Sequence, residues 1–453
     1  MTKTDIPWED GAKNAPLPPD AGGLPLLGGA LELMKDPLQY MVRQYQTLGP
    51  VFQVRALNRK FIVLAGPEAN LFMSRHGDKY LTGKKTWAIF ADEINAKHFL
   101  AAIDGEPHSR LRKITKKPYS RQNLLNHLPE LVEITRKTVG QWPQDAPLTV
   151  FPTMQRLVSE QIGYLLLGSG PGDYFDDFVV FMRTLLNAVL GQRPKLSLRM
   201  PGYRHSKERV MTLGQNLLDE HQANPRAEDP DLVDYLLAAE ADNRDILSEA
   251  ELRLGAIGPY LAGIDTSAGT TSFMLYALLK NPDVIDRLRS EIDEAFAAGP
   301  LTAAVARQMK LTTAATIETL RMYPVAPMLP RTVAKPFVFG GYQFNVDDPV
   351  MVGTAVAHYD HTLYRDPYVY DIDRCLPPRK EHRQPGALAP FGLGAHTCAG
   401  AGFAEVQIMM TVATLLHDYD LQMEPADYQL KIALNPSPAP DKNFRISLRQ
   451  RSA

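Results

Sequence analysis

Apolar residues recur at spacings of three and four through the middle of the chain, the pattern of helices that bury one face. This spacing predicts helices over 128–142, 154–167, 174–190, 211–221, 232–239, 282–296 and 312–322. The longest weakly charged stretch covers 254–279 and is long enough to cross a bilayer. Pro259 and Asp265 interrupt it, and a lone acid is costly in a membrane. We therefore predict a long helix buried in protein over 252–280.

Short apolar runs predict a smaller β-rich lobe. Residues 51–55 and 60–64 have the pattern of a hairpin, and the alternation over 337–357 predicts further strands. We assign about 40–66 and 337–357 to this lobe. A Pro- and Gly-rich lead-in over 1–30 precedes it.

Charge and cysteine usage narrow the class of protein. The net charge of the 453-residue chain is −2 and its pI is near 6.6, so there is no basic field for nucleic acid. The two cysteines, Cys375 and Cys398, fit a reducing compartment. Residues 1–14 contain no apolar stretch long enough for a signal peptide or membrane anchor. We expect a cytoplasmic protein without a membrane anchor.

Cys398 lies in a glycine-rich loop, FGLGAHTCAG over 391–400, directly before a helical pattern. Gly392, Gly394 and Gly400 can adopt backbone angles that other residues resist, and they let main-chain N–H groups approach a sulfur. A thiolate bound to haem iron pushes electron density onto the metal and favours O–O cleavage. A single cysteine is more often a small inert hydrophobe, but the surrounding loop favours a metal ligand.

Phe391, Gly394, Cys398 and Gly400 fit Phe-x-x-Gly-x-x-x-Cys-x-Gly, the haem-binding signature of the cytochrome P450 family, which this chain resembles. The resemblance implies haem b, with Cys398 as its iron ligand and Phe391 shielding the thiolate. It also implies one domain over 1–453, mainly α with a small β-rich lobe. The haem would then lie between the long oxygen-binding helix and the cysteine loop.

Residues 262–267, AGIDTS, resemble the acid–alcohol motif of the same family. The motif assigns proton relay to Asp265 and a hydrogen bond to bound oxygen to Thr266, while Gly263 leaves room for the diatomic ligand. The threonine hydroxyl can also bond to the carbonyl four residues earlier. Taken alone, a satisfied polar pair inside a helix would be the commoner explanation.

Two further groups of residues match family motifs, one for binding the haem propionates and one for a structural triad. His108 and Arg112 match the family's His-x-x-x-Arg, and with Arg331 and His396 they are expected to bind the haem propionates. His396 stands where most members have Arg, but either residue can donate to a propionate. Glu318, Arg321 and Arg374 match a Glu–Arg–Arg triad, so we expect them to stabilise the cysteine loop.

The resemblance places an apolar set of residues at the substrate, although many of them have an equally good explanation as core. The candidates are Trp87, Ile89 and Phe90 in the loop before His108, then Phe181, Leu185, Val189, Ala262, Val325, Ala326, Met328 and Leu434. An apolar substrate is favoured, such as a terpenoid, a steroid, or a fatty-acid-like or polyketide-like molecule.

The expected activity is insertion of one oxygen atom from O2 into the substrate. No flavin or iron–sulfur segment follows Cys398 in the printed chain, so electrons from NAD(P)H are expected through a ferredoxin with its reductase, or through a flavoprotein reductase. The basic residues Lys113, Lys116, Lys117 and Arg121 suit an acidic donor, but charge runs are usually just solvated.

Three alternatives remain. A peroxide-driven peroxygenase, or an isomerase or dehydratase that needs no electrons, would keep the haem, but relatives of these kinds typically lack the Asp265–Thr266 pair. A haem sensor or carrier would have no enzymatic product. Sterol 14-demethylases resemble one another in having His before this threonine, so Asp265 argues against that subfamily.

Overall fold

The computed structural model describes residues 8–11, 14–143, 146–190, 193–242, 247–434 and 436–451. Residues 1–7 and 12–13 of the predicted lead-in lie outside this set. The helices are α1 (Ala30–Lys35), α2 (Pro37–Leu48), α3 (Gly66–Tyr80), α4 (Lys84–Glu93), α5 (Gly105–Thr115), α6 (Arg121–Asn126), α7 (Leu128–Val139), α8 (Val150–Leu167), α9 (Phe175–Val189), α10 (Pro201–Ala223), α11 (Leu232–Asp242), α12 (Glu249–Leu279), α13 (Pro282–Ala297), α14 (Ala303–Gln308), α15 (Lys310–Met322) and α16 (Ala401–Asp418).

The strands are short by comparison. They are β1 (Trp8–Asp10), β2 (Val51–Ala56), β3 (Arg59–Ala65), β4 (Leu81–Thr82), β5 (Leu148–Thr149), β6 (Leu329–Val333), β7 (Phe337–Phe339), β8 (Tyr342–Phe344), β9 (Pro349–Gly353), β10 (Tyr419–Glu424), β11 (Ile432–Ala433), β12 (Ala439–Pro440) and β13 (Arg445–Gln450). The predicted class, mainly α with a small β component, is confirmed.

The chain divides into two compact units. The first contains Met1–Ala88, Leu100–Ser109 and Ala326–Cys398, and the second contains Ile89–Phe99, Arg110–Val325 and Ala399–Ala453.

The first unit holds the larger sheet, in the order β2-β3-β9-β6-β4, and a second sheet in the order β1-β7-β8. Strands β2 and β3 form the predicted hairpin, with Phe52 opposite Val63. Strand β3 runs parallel to β9, and β9 runs antiparallel to β6. An aromatic core lies against these sheets, where the rings of Phe72 and Phe337 stack at 5.2 Å.

One stretch assigned to the β lobe is helical. Residues 40–48 belong to α2, which begins after Asp36, whose carboxylate accepts the Gln39 N–H at 3.0 Å. An N-terminal cap of this kind, followed by Pro37, is a strong local helix signal. Over this stretch the cap and proline therefore specify a helix, and the strand that follows it begins at Val51.

The second unit is built around α12, which packs along α8 and lies against α10, α15 and α16. Helix α12 begins at a capping box, in which Ser248 and Glu251 satisfy each other's backbone N–H groups. Small strands form the sheets β10-β13-β5 and β11-β12. The predicted helices are all present, although α10 begins ten residues earlier than its periodicity indicated.

Polar residues inside α12 are satisfied by the helix itself. The hydroxyl of Thr266 donates to the carbonyl of Ala262 at 2.7 Å, and the side chains of Thr270, Thr271 and Ser272 repeat this pattern one turn back. A mostly buried helix can therefore carry these residues without unpaired hydroxyls. Among the helices that the structure describes, none is long and apolar enough to cross a membrane.

Glycines allow α8 and α12 to approach closely. A Cβ on Gly163 of α8 would lie 2.2 Å from the Tyr260 hydroxyl, and a Cβ on Gly263 of α12 would lie 2.5 Å from Cδ1 of Ile162. The Tyr260 hydroxyl donates to the carbonyl of Ser169 at 2.9 Å. Gly263, expected only to leave room for a ligand, therefore also has a packing reason to be glycine.

Candidate active site

The loop around Cys398 is shaped by its own backbone. The Cys398 N–H donates to the carbonyl of Phe391 at 2.8 Å, and a 3₁₀ turn at Gly394–His396 lies between them. Both the N–H and the hydroxyl of Thr397 donate to the carbonyl of Gly394. The loop therefore closes on itself before α16 begins at Ala401, and the Cys398 side chain is exposed.

Two of the three loop glycines have the backbone angles that were expected of them. Gly392 has a φ of +75° and Gly394 a φ of +70°, a region that residues with a Cβ rarely adopt. A Cβ on Gly394 would also lie 2.9 Å from the carbonyl oxygen of Met73. The expectation was wrong for Gly400, whose φ is −88°, because it serves as the ordinary N-terminal flank of α16.

The predicted propionate ligands of the first unit gather beside an acid that sequence reasoning missed. The rings of His108 and His396 lie 4.3 Å apart, and Nε2 of His396 is 2.9 Å from Oδ1 of Asp104. The hydroxyl of Thr82 donates to Oδ2 of Asp104 at 2.6 Å. The position of Asp104 could have identified it as a site residue, because it lies four residues before His108 and directly before Gly105, whose φ is +70°.

Asp104 is strongly ionised. Burial alone would raise its pKa, but hydrogen bonds from His396 and Thr82 and the nearby positive charges of His396 and Lys84 lower the pKa to about 2. The Asp104 carboxylate therefore orients His396 and keeps a negative charge beside it.

Arg331, on β6, is a half-buried cation. Burial lowers the pKa of its guanidinium, and the charge of Asp104 opposes this effect. Among the described residues, its hydrogen bond goes to the carbonyl of its neighbour Pro330, at 2.9 Å. A half-buried guanidinium whose hydrogen bond goes to a neutral carbonyl is suited to an incoming anion. Arg112, the remaining predicted propionate ligand, lies in the last turn of α5.

Asp265 and Thr266 lie in the middle of α12, in the second unit. Burial raises the pKa of Asp265, and a hydrogen bond from Gln155 and the charge of Arg183 partly offset the increase. The Gln155 amide donates to Oδ1 of Asp265 at 2.5 Å. A carboxyl group whose pKa burial raises is better able to carry a proton near neutral pH. Gln155, on α8, was not predicted because it lies far from the acid–alcohol motif in sequence.

Glu318 and Arg321 form the ion pair that their spacing predicted, but it is fully buried in α15. Nε and Nη2 of Arg321 each lie 2.8 Å from a carboxylate oxygen of Glu318, and both side chains are 0% exposed. Arg374, in the first unit, is equally buried and bonds to Glu381 at 2.8 Å and to the carbonyls of Arg365, Asp366 and Val369. The three-residue triad stays a prediction.

The predicted substrate residues fall into three groups. Trp87, Ile89 and Phe90 lie in helix α4, so the prediction of a loop there was wrong. Phe181 and Leu185 are fully buried, and the Phe181 ring stacks on Tyr203 of α10 at 5.8 Å, as core residues do. The other predicted positions are exposed or half-buried: Val189, Ala262, Val325, Ala326, Met328 and Leu434. Substrate contact at all of these positions stays a prediction.

Comparisons with known proteins define the class. The sequence profile of the cytochrome P450 family matches residues 17–445. Putative cytochrome P450 120 from Synechocystis is 26% identical, over 96% of this chain and 97% of that protein. Cyclooctat-9-en-7-ol 5-monooxygenase from Streptomyces melanosporofaciens is 25% identical, over 92% of this chain and 91% of that protein. Sterol 14alpha-demethylase from Mycolicibacterium vanbaalenii is 24% identical, over 91% of this chain and 93% of that protein.

A solved structure agrees with these relatives. Cyanobacterial CYP120A1 with bound retinoic acid superposes with a TM-score of 0.83 at 25% identity, covering 97% of this chain and 100% of that chain. The chain belongs to the cytochrome P450 family. It is an oxidoreductase of the haem-thiolate monooxygenase class, and its cofactor is haem iron.

The residues of the first unit fit this cofactor. Cys398 offers an exposed sulfur at the end of a closed loop, and Arg331 is a half-buried cation whose hydrogen bond among the described residues goes to a neutral carbonyl. His108 and His396 add N–H groups near Asp104. A soft sulfur donor together with cations suits an iron porphyrin with two carboxylates.

Proposed function

We propose that the chain acts as a single cytochrome P450 domain over 1–453 and inserts one oxygen atom from O2 into an apolar substrate. The observation that carries the proposal is the family signature on a closed loop that leaves the Cys398 sulfur exposed directly before α16. Cys398 would be the thiolate ligand of haem b. When bound, the haem supplies the iron chemistry that activates O2.

The other predicted site residues would hold the cofactor. His108, Arg112, Arg331 and His396 would bind the propionates, and the half-buried guanidinium of Arg331 supports this assignment most directly. Phe391 would shield the thiolate and Gly400 would leave the cofactor room. The buried charges of Glu318, Arg321 and Arg374 would stiffen the surroundings of the cysteine loop.

Asp265 and Thr266 would deliver protons. The Thr266 hydroxyl donates to the carbonyl of Ala262, which leaves its lone pairs able to accept a hydrogen bond. Asp265, whose pKa burial raises, would relay protons from solvent. This pair favours an O2-dependent reaction over a peroxygenase or an electron-independent isomerase or dehydratase.

We propose a terpenoid or steroid-like substrate over a fatty-acid-like or polyketide-like one. The names of similar proteins refer to a sterol, a cyclic alkenol and retinoic acid, all of them largely apolar molecules. The predicted pocket residues are nearly all apolar. A low-spin to high-spin shift on titration with such compounds would identify the substrate.

Electrons would come from NAD(P)H through a ferredoxin and its reductase, or through a flavoprotein reductase. The basic residues predicted to bind an acidic electron donor are only partly available for that contact. Arg121 is paired with Glu405 at 2.9 Å, and Lys117 lies 5.4 Å from the centre of the Tyr235 ring, so Lys113 and Lys116 would be the main contributors. The scarcity of cysteine supports a cytoplasmic location.

Replacement of the sulfur tests the proposal. The reduced, carbon-monoxide-bound protein should show the red-shifted Soret band of thiolate ligation, and Cys398→Ala should lose it entirely. Cys375→Ala is the matched control, because Cys375 is buried in the first unit outside the signature, and it should keep the band.

A wild-type spectrum typical of nitrogen ligation would contradict the proposal. So would a Cys398→Ala protein that keeps the red-shifted band.

A further inference from the structure

A buried amide of α8 contacts the acid of α12. Gln155 is 3% exposed, and its Nε2 donates to Oδ1 of Asp265 at 2.5 Å. Among the residues that the structure describes, no other donor bonds to the Asp265 carboxylate. One oxygen of this carboxylate is therefore held, while the other is open to exchange.

Within the described part of the chain, few charged groups act on Asp265. Besides the Gln155 amide, the charged group that acts on the carboxyl is Arg183 on α9, and it acts only through its electrostatic field. Burial is the larger influence and raises the pKa of Asp265. A hydrogen bond to the charged form of an acid opposes such a shift.

We infer that Gln155 is a positioning residue for proton delivery: its amide fixes Oδ1 of Asp265 and directs proton exchange to Oδ2. This inference rests on the proposed function, because it assigns Gln155 a role only through Asp265. An amide suits the task, since it donates a hydrogen bond but neither gains nor loses a proton near neutral pH. A lysine here would pair with the carboxylate and hold it ionised.

Gln155→Met tests the inference, because methionine keeps the length of the side chain and removes the donor. The carbonyl stretch of the protonated Asp265 carboxyl can be identified in infrared difference spectra of the holoenzyme by its absence in Asp265→Asn. We expect the titration midpoint of this band to rise by about one pH unit in Gln155→Met, the usual effect of losing one hydrogen bond to a charged group.

A matched control lies on the same helix. Gln161 is 0% exposed, and its amide donates to the hydroxyls of Thr135 and Thr411 at 2.9 Å each, with no contact to Asp265. Gln161→Met should disturb α8 to a similar extent but leave the titration midpoint in place. The pH at which product formation per NAD(P)H falls by half should move with the midpoint in Gln155→Met only.

An unchanged midpoint in Gln155→Met would overturn the inference, and so would an equal shift in Gln161→Met. If the midpoint shifts while Asp265→Asn forms product as efficiently as the wild type, the positioning of Asp265 by Gln155 is supported and the relay role of Asp265 fails. A lost Soret signal in Cys398→Ala is independent of all these results.

Discussion

The Cys398 loop and the middle of α12 hold their chemical groups in opposite ways. The loop depends on turns, on positive φ angles at Gly392 and Gly394, and on a short range of sequence. The middle of α12 depends on packing against other helices, and the partner of Asp265 lies 110 residues away. A site built by one loop, like that of Cys398, can be predicted from a sequence motif. A site built by packed helices, like that of Asp265, includes residues that only the fold brings together.

The largest expected effect is on the free energy of unfolding, and it should differ between a glycine of the Cys398 loop and a glycine of α12. Gly394→Ala should lower the free energy of unfolding by about 2–3 kcal/mol, because a positive φ is costly for alanine and the added Cβ meets the Met73 carbonyl. Gly258→Ala in α12 is the counterpart, since its nearest neighbour would be the Tyr119 hydroxyl at 3.9 Å. It should change the free energy of unfolding by less than about 1 kcal/mol, because alanine favours a helix but the following Pro259 disfavours a Cβ on the residue before it. Urea unfolding of both variants measures the difference, and similar losses would refute the contrast.

Asp104→Asn should have the next largest effect. The pKa of Asp104 is lowered to about 2 from an ordinary 3.8, so the ionised group stabilises the fold above pH 3.8 and loses this contribution as the pH falls toward 2. At pH 7 the variant should be about 2 kcal/mol less stable than the wild type. Unfolding measured from pH 7 downward should show the gap closing.

A control for that experiment is Asp10→Asn, because the pair of Asp10 with Lys79 is largely exposed and should matter much less. A gap between wild type and Asp104→Asn that stays constant as the pH falls would contradict the assigned ionisation of Asp104.

Asp265→Asn should raise the stability at neutral pH, whereas Asp104→Asn lowers it. Burial raises the pKa of this acid, so its protonated form suits the fold and stability is lost as the pH rises through the folded-state pKa. The asparagine variant should therefore be more stable than the wild type at neutral pH, by an amount on the order of 1 kcal/mol, with the advantage vanishing in acid. Unfolding curves at several pH values test the sign, and a variant less stable at pH 7 would contradict it.

Local signals in the sequence predicted many of the helices and strands, but they did not identify every residue of the candidate site. A long weakly charged stretch predicted α12, periodicity predicted most helices near it, and two short apolar runs predicted the hairpin at β2 and β3. The cap at Asp36 overrode the strand assignment of 40–48. Asp104 and Gln155 were missed because their meaning depends on tertiary partners, His396 and Asp265, that no spacing rule identifies.

The close approach of α8 and α12 has a mechanical consequence. Ile162 fills the space over Gly263, while Tyr260 and Ser169 fill the space over Gly163, so each helix inserts a bulky group where the other has none. Such interlocking fixes the axial register of the two helices, because sliding by one residue would drive a side chain into backbone. The position of Asp265 along α8 therefore depends on two residues without side chains, and a larger residue at Gly163, whose neighbours include the backbone of Ser169, would shift it.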